Sequence, residues 1–270
     1  MRKLYTLWMV LLPITVAAIV LYIEDNILSE TEIIVTDQEL PEAFDGYKIV
    51  HLSDLHSKWF GEDQKRLIER VEEQNPDLIV FTGDLLDRSR NQLEPGVTLL
   101  TQLKNTAPVY FVTGNHERGS GKTKELIEEL EAQEVHVLRN ESLELQRKGE
   151  VISLAGVEDP TFSGSFSERV VQTLSGESYT ILLSHRPEFF SLYQEQGADL
   201  VFSGHAHGGQ FRVPFIGGLV APGQGVFPAY TSGKHEEVGT TMIVSRGLGN
   251  SIFPQRLFNR PEIVSVELKK

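Results

Sequence analysis

The segment Leu78-Ile79-Val80-Phe81-Thr82-Gly83-Asp84 passes from an apolar run into a glycine and a carboxylate, and four other segments of the chain end in a comparable way. A short apolar run reads as a buried strand, so Gly83 and Asp84 fall where the strand stops and a side chain can turn inward. A single Gly-Asp in that position usually does no more than cap a helix. Here, however, Ile49-Val50-His51-Leu52-Ser53 leads to Asp54 and His56, and Val109-Tyr110-Phe111-Val112 to Asn115 and His116. Ile181-Leu182-Leu183 leads to His185, and Leu200-Val201-Phe202 to His205 and His207. Oxygen and imidazole donors are metal-ligand types, and a fold that serves one chemistry must deliver all five strand ends to one place.

Between these strands the periodicity changes to that of helices. Residues 62–74 put Leu67, Ile68 and Val71 on one face ahead of Pro76, a helix near residues 93–103 precedes the Val109 strand, and residues 122–132 form a third amphipathic helix. Strand, helix, strand, helix, strand is an α/β signature. Residues 31–36 alternate as a first strand, and beyond about residue 136 shorter strands are expected at 137–138, 151–154, 242–244 and 263–268, with a helix at 166–174. No solenoid-length repeat or low-complexity linker interrupts the chain, so residues 30–270 read as one catalytic domain. The Gly- and Pro-rich residues 208–234, with Phe211, Phe215, Ile216 and Phe227 interleaved, read as a long loop or hairpin beside the site. It either roofs a core edge or forms an apolar lip for a greasy substrate. Gly119-Ser120-Gly121-Lys122-Thr123 resembles the end of a phosphate-cradling loop, but His116 stands where that loop requires glycine, and a nucleotide site is rejected.

Residues 4–23 carry no charge and are mostly apolar, with Arg2 and Lys3 before them and Glu24 and Asp25 after. A helix of that length spans about 30 Å, the thickness of a bilayer's hydrocarbon core. Trp8 and Tyr22 near its ends suit the interfaces, and Pro13 is tolerable within it. The expectation is an uncleaved single-pass anchor with its polar juncture over residues 1–29, its basic end in the cytoplasm, and the rest of the chain extracytoplasmic at the cell membrane. A signal peptide cut near Val16 and Ala18, or a buried soluble helix, are the alternatives.

The sequence has no cysteine, which removes disulfides and thiolate metal sites. Its net charge is −13, and setting aside Arg2 and Lys3 leaves −15 on the remainder, a surface that repels nucleic-acid backbones and anionic lipid heads, so no nucleic-acid partner is expected. Asp54, His56, Asp84, Asn115, His185, His205 and His207 offer a set of donors in which only the two aspartates are charged. Two divalent ions and a bridging hydroxide would leave that pocket at about +1. A positive hole in an acidic domain favours small or isolated phosphate groups. Oxygen and imidazole donors suit Mn, Fe or Zn alike.

Asp54-Leu55-His56, Gly83-Asp84-Leu85-Leu86-Asp87-Arg88, Gly114-Asn115-His116-Glu117, Ser184-His185 and Gly204-His205-Ala206-His207 resemble, in order and spacing, the motifs of the calcineurin-like metallophosphoesterases, from about Lys48 to the end of the chain. The apolar N-terminus, Gly208-Gly209-Gln210 and Ser245-Arg246-Gly247-Leu248-Gly249 resemble its bacterial membrane-associated branch, which includes Bacillus-type phosphodiesterases and UDP-2,3-diacylglucosamine hydrolase-like members. The resemblance implies an α/β (α+β) fold, a two-sheet mixed β-sandwich flanked by helices, here with an N-terminal transmembrane helix. It implies one metal held by Asp54, His56 and His207, a second by Asn115, His185 and His205, and Asp84 bridging them. His116 would contact the phosphate and protonate the leaving oxygen, Asp87 would orient His116, and Arg88 would contact a phosphate oxygen. Asp87 and Arg88 read equally as a surface ion pair, because most membrane-associated members diverge after the bridging aspartate. Glu117 is expected to be a structural hydrogen-bonding partner, His51 to pack or to support the ligands from behind, and His136 and His235 to be solvated.

The function expected is that of a two-metal hydrolase cleaving phosphoester or pyrophosphate bonds by a metal-bridging hydroxide. Its substrate is expected to be a small-molecule or lipid-linked phosphate of the cell envelope. A phosphoprotein phosphatase, suggested by Asp87, Arg88 and Glu117, is the second reading, and a non-catalytic metal-bearing scaffold the third. Nothing in the sequence sets the oligomeric state.

Overall fold

The computed structural model describes residues 2–162, 164–174, 178–251 and 253–270; the side chains of residues 2–7 and 10 lie outside the described part. Helix α1 (Arg2–Asn26) leads through β1 (Ser29–Thr36) and β2 (Lys48–Leu52) to the alternation read from the sequence. That alternation is α2 (Lys65–Glu72), β3 (Leu78–Thr82), α3 (Glu94–Leu103), β4 (Val109–Val112), α4 (Asn115–Ser120), α5 (Thr123–Ala132) and β5 (His136–Val137). The second half comprises β6 (Glu141–Arg147), β7 (Glu150–Gly156), α6 (Phe166–Thr173), β8 (Thr180–Leu183), α7 (Phe190–Glu195) and β9 (Leu200–Ser203). Four two-residue strands follow, β10 (Arg212–Val213), β11 (Gly217–Gly218), β12 (Val220–Ala221) and β13 (Gly225–Val226), and then β14 (Gly233–Glu237), β15 (Thr240–Val244) and β16 (Glu262–Lys269).

Two mixed six-stranded sheets result, ordered β1-β16-β2-β3-β4-β5 and β14-β15-β9-β8-β7-β6. The final strand inserts between β1 and β2, parallel to the first and antiparallel to the second, so the end of the chain closes the first sheet. Strands β2 to β5 run parallel, as do β7, β8, β9 and β15, which is why the C-terminal ends of the strands that lead to the candidate site residues lie along one rim of each sheet. In β3, Leu78 and Val80 join the core between the sheets, with Ile181, Phe202 and Ile243 from the other side. Ile79 and Phe81 face away, against Leu67 and Val71 of α2 and Leu99 and Leu103 of α3. The outer face of the second sheet is covered by Val170 of α6 and Tyr193 of α7. With both faces of β3 buried, its sequence is a continuous apolar run. Full burial of a side chain such as Phe81 contributes roughly 1.5–3 kcal/mol.

The expected helix over residues 62–74 is shorter. Gly61, Asp63 and Gln64 take φ of 90°, 49° and 64°, so a 3₁₀ turn over Glu62–Gln64 precedes α2. The amide of Gln64 is buried and bonds Phe60 N–H and the carbonyls of Lys58 and Pro95, a tie the helix would have broken. Strand β6, an edge strand paired with β7, was not anticipated, and residues 208–234 form two small hairpins, β10–β11 and β12–β13, rather than one long one.

Helix α1 covers the apolar run expected to be helical, and its described side chains from Trp8 to Tyr22 are exposed. Among the described residues, no helix is long and apolar enough to cross a membrane.

Candidate metal centre and active site

Strands β2, β3 and β4 of the first sheet and β8 and β9 of the second deliver their following loops to one rim. Backbone bonds from Asp54 N–H to Gly83 O and from His56 N–H to Asp84 O, both 3.0 Å, continue the β2–β3 alignment past the strand ends. The two sheets approach closely there: a Cβ on Gly83 would stand 2.6 Å from Nδ1 of His185 and 2.7 Å from the backbone nitrogen of Gly114. Asp54, His56, Asp84, His205 and His207 all adopt left-handed backbone conformations, with φ between 48° and 63°. Such conformations cost on the order of 1–3 kcal/mol each in a non-glycine residue, and strain of this kind collects at functional sites.

Two groups of donors meet at Asp84. In the first, Nε2 of His56 lies 3.0 Å from Nε2 of His207, 3.7 Å from Oδ2 of Asp84 and 3.9 Å from Oδ1 of Asp54, and Nε2 of His207 is 3.4 Å from the same Asp54 oxygen. In the second, Nε2 of His185 lies 3.2 Å from Oδ2 of Asp84 and 3.1 Å from Nδ1 of His205. Within each group the donor atoms all lie within 4.8 Å of one another, and Asp84 Oδ2 faces both.

These residues fit divalent ions. Two nitrogens or oxygens each about 2.1 Å from an ion, at tetrahedral to octahedral angles, stand roughly 3.0–3.4 Å apart, and the shorter distances above are of that size. His205 and His207 are held well below the ordinary histidine range, first by burial, and so remain in the neutral form that binds metals. Burial pulls His185 down as well, but the Asp84 carboxylate outweighs it and raises the group to about 10. Asp84 thus demands a positive charge beside it, which an ion supplies more directly than a proton. Nδ1 of His185 lies 2.7 Å from the carbonyl of Thr82, an N–H donation that turns Nε2 toward Asp84. Oδ1 of Asn115 is buried and has no hydrogen-bond partner, as expected of an oxygen reserved for an ion.

Behind the donors, Glu117 is fully buried and accepts three backbone N–H bonds, from Asp84 (2.9 Å), Gly114 (2.6 Å) and Leu86 (3.2 Å). Burial, and then the charge of Asp84, push its pKa up to about 7. His51 is buried, with Nε2 2.7 Å from the Thr82 hydroxyl and its ring edge-on to Phe202. His136 is exposed and stacks on Tyr110, whereas His235, expected in solvent, is half-buried because its ring packs edge-on against Tyr230.

Asp87 is buried, and among the described residues no ion pair joins it to Arg88. One of its oxygens accepts N–H bonds from Ser89 and Arg90, and the other lies 3.5 Å from Nδ1 of His116 and 3.6 Å from Nδ1 of His56. The Arg88 N–H donates to Nδ1 of His116 at 3.2 Å, which leaves the proton of the neutral ring on Nε2, 3.3 Å from the Ser251 hydroxyl. Burial lowers His116 to about 4.

His116, Asn115, His205 and His207 open onto a cavity of about 740 Å³. Arg88, Arg118 and Arg186 stand on its polar side, and Phe211, Val220, Ala221, Pro222 and Phe253 form an apolar wall. Arg186, Asp159, Arg256 and Asn259 were not singled out from the sequence. Arg186 is held by Asp159 and reaches His205, while the buried Arg256 fixes the connection between β15 and β16 through Asn250 and the carbonyls of Arg246, Gly249 and Asn259. The Asn259 amide donates to the carbonyls of His207 (2.7 Å) and Gln210 (3.0 Å). The one sequence signal for Arg186 was its place beside His185.

Residues 47–209 match the family model described as calcineurin-like phosphoesterase. The chain is 34% identical over 254 residues to the uncharacterized metallophosphoesterase YkuE of Bacillus subtilis, covering 92% of this chain and 88% of that one. It is 30% identical over 249 residues to a zebrafish (Danio rerio) transmembrane protein with metallophosphoesterase domain, covering 86% of this chain and 55% of that protein. To the phosphodiesterase YaeI of Escherichia coli it is 30% identical over 228 residues, 82% of each chain. The matched segment holds all the donors of both groups, and the chain belongs to the calcineurin-like phosphoesterase family of metal-dependent phosphohydrolases.

Proposed function

We propose that the chain hydrolyses phosphodiesters or phosphomonoesters at a centre of two divalent ions. Asp54, His56 and His207 would hold one ion, Asn115, His185 and His205 the other, and Asp84 would bridge them. The observation that carries this reading is that Oδ2 of Asp84 faces His56 at 3.7 Å and His185 at 3.2 Å, one oxygen shared by two donor groups. When bound, such ions withdraw charge from phosphate oxygens and lower the pKa of water to near neutrality.

The protein's own groups account for the rest. His116 directs its Nε2 proton into the cavity, toward the position of a leaving oxygen. A bound phosphate raises the affinity of His116 for a second proton, which would take Nδ1 in exchange for the Arg88 N–H contact and face Asp87 at 3.5 Å. Arg88, exposed on the cavity wall, is placed to bond a phosphate oxygen. The apolar wall suits an ester that carries a hydrocarbon or aromatic group, such as a lipid-linked phosphate of the cell envelope. The exposed apolar surface of α1, and the name of the zebrafish relative, support an anchor with the domain outside the membrane. A phosphoprotein phosphatase is the second reading, favoured by the contact between Asp87 and His116.

Elemental analysis of wild type and Asp84→Asn, paired with hydrolysis of bis(p-nitrophenyl) phosphate, p-nitrophenyl phosphate and a phosphopeptide, tests both readings. The expected result is two ions per chain, lost together with activity in the variant. Undiminished hydrolysis by Asp84→Asn would refute the site, and a preference for the phosphopeptide would favour the second reading.

A further inference from the structure

The chemistry of the site leaves the tips of the hairpins after His207 unused. Phe215 is 108% exposed, and Ile216, Val226, Phe227, Phe253 and Phe258 are each more than half exposed. Single exposed apolar residues are ordinary, but a contiguous group marks an interaction surface. Backbone bonds tie Phe227 to the others, its N–H reaching the Leu219 carbonyl and the Leu219 N–H the Phe211 carbonyl, both at 2.9 Å. The Arg212 N–H bonds the Leu257 carbonyl at 3.0 Å, the Phe211 and Phe253 rings lie 5.8 Å apart, and Phe215, Ile216 and Phe258 line one groove.

The loop that carries Phe253 and Phe258 also grips the end of α1. Gln255 donates to the Leu21 carbonyl at 2.9 Å, Asp25 accepts the Arg256 N–H at 2.9 Å, and Glu24 accepts the Asn259 N–H at 2.9 Å. Cations surround this junction: Lys58 bonds the carbonyl of Asp25, Arg66 that of Asn26, and Arg260 pairs with Glu24 at 3.2 Å. The mouth of the cavity lies on the same side, since Phe211 and Phe253 belong to its wall and Gln210 bonds the carbonyls of Phe253 and Gln255. An apolar helix, a set of aromatic tips and the entrance to the site therefore share one face. Aromatic and aliphatic tips with Lys and Arg nearby are the composition of a membrane interface.

We propose that this face docks on a lipid bilayer. Phe215, Ile216, Phe227 and Phe258 enter its interfacial layer, and the cavity opens at headgroup level to receive the phosphate of an amphiphile. The hydrocarbon part of that substrate passes along Phe211, Val220 and Phe253. The inference rests on the cavity being the phosphoester site, and it adds the side from which the substrate arrives.

The absence of cysteine permits a test on the full chain with a single label. An environment-sensitive fluorophore is attached at Phe215→Cys, Phe227→Cys or, as a control, Lys124→Cys on α5, beside the opposite edge of the first sheet. The protein is mixed with phosphatidylcholine vesicles containing acyl-brominated lipid. Quenching at 215 and 227 but not at 124 is expected. Phe215→Glu combined with Phe227→Glu is expected to lower hydrolysis of a vesicle-borne diacylglyceryl phosphodiester by about tenfold, leaving soluble bis(p-nitrophenyl) phosphate turnover unchanged. Absence of quenching in protein that still hydrolyses the soluble ester would overturn the docking proposal alone. An emission change that follows protein concentration without lipid would also overturn it, in favour of a second copy of the chain. Failure of the unmodified protein to hydrolyse either ester would instead overturn the reading of the cavity.

Discussion

Arg186 places Nη1 2.7 Å from Nε2 of His205, while the Asp159 carboxylate holds its Nε and Nη2 at 2.6 and 3.3 Å. The guanidinium is thereby fixed on the cavity wall beside a neutral imidazole, where a phosphate oxygen would be its natural partner. Arg186→Gln is expected to raise KM for a soluble phosphodiester by about 10- to 100-fold, the worth of one charge-assisted bond, with a smaller effect on kcat. Asp159→Asn should shift KM in the same direction by less. Steady-state kinetics and calorimetric titration with inorganic phosphate measure both, and an unchanged KM in Arg186→Gln removes this residue from the substrate's contacts.

His116 stands apart from the ligand set in what its loss should do. Replacement by Asn is expected to reduce kcat by roughly 10² to 10⁴, the usual contribution of a positioned proton donor, while metal content stays at the wild-type level. Asp87→Asn should act through the same ring at smaller cost. Equal loss of metal and activity in the His116 variant would reassign it as a ligand.

Glu117 supports the centre without facing the cavity. Its removal as Ala strands three buried N–H groups, each costing about 1–3 kcal/mol, so a loss of at least 3 kcal/mol is expected by chemical denaturation. Glu117→Gln should recover part of it. A variant as stable as wild type would show that water or a rearranged loop satisfies those donors.

Asp199, immediately before β9, provides a pH signature distant from the proposed metal centre. Burial raises its pKa to about 6, the bond it accepts from Thr180 N–H opposes this, and the Asp37 and Glu39 carboxylates add to it. The folded state therefore holds this proton more tightly than the unfolded state. Its contribution to stability is complete below about pH 4 and is lost as the pH rises through about 6. With allowance for solvent screening of this half-buried group, the penalty at pH 8 is about 1 kcal/mol. Asp199→Asn is expected to melt about 2–4 °C higher than wild type at pH 8 and no higher at pH 4. Parallel melting curves at both values would exclude the effect.

The sequence was most informative where a side chain's role follows from the strand that carries it. Asp84, His185 and His205 follow apolar runs that had to be buried, and the parallel strands brought those ends together. Strand β6 was equally open to reading, for Leu143 and Leu145 alternate with polar residues up to the turn at Lys148 and Gly149; its modest apolar content allowed it to be passed over. Asp159, Arg256 and Asn259 belong to a different case. Their partners lie far along the chain, as with Asp159 and Arg186, or in loops without periodicity, as with Arg256 and Asn250, and no local pattern announces such pairings. The junction of α1 with the domain was illegible for the same reason, because Glu24 and Asp25 read simply as the charges that end an apolar run.

Those two acidic residues change what it means to shorten the protein. Glu24 fastens the backbone of Asn259, whose amide in turn steadies the carbonyl of His207. A version trimmed to start at residue 30 discards a brace two bonds removed from His207, whereas cleavage after Ala18 would keep it. A poorly active soluble fragment would then reflect where the cut was made rather than any need for lipid.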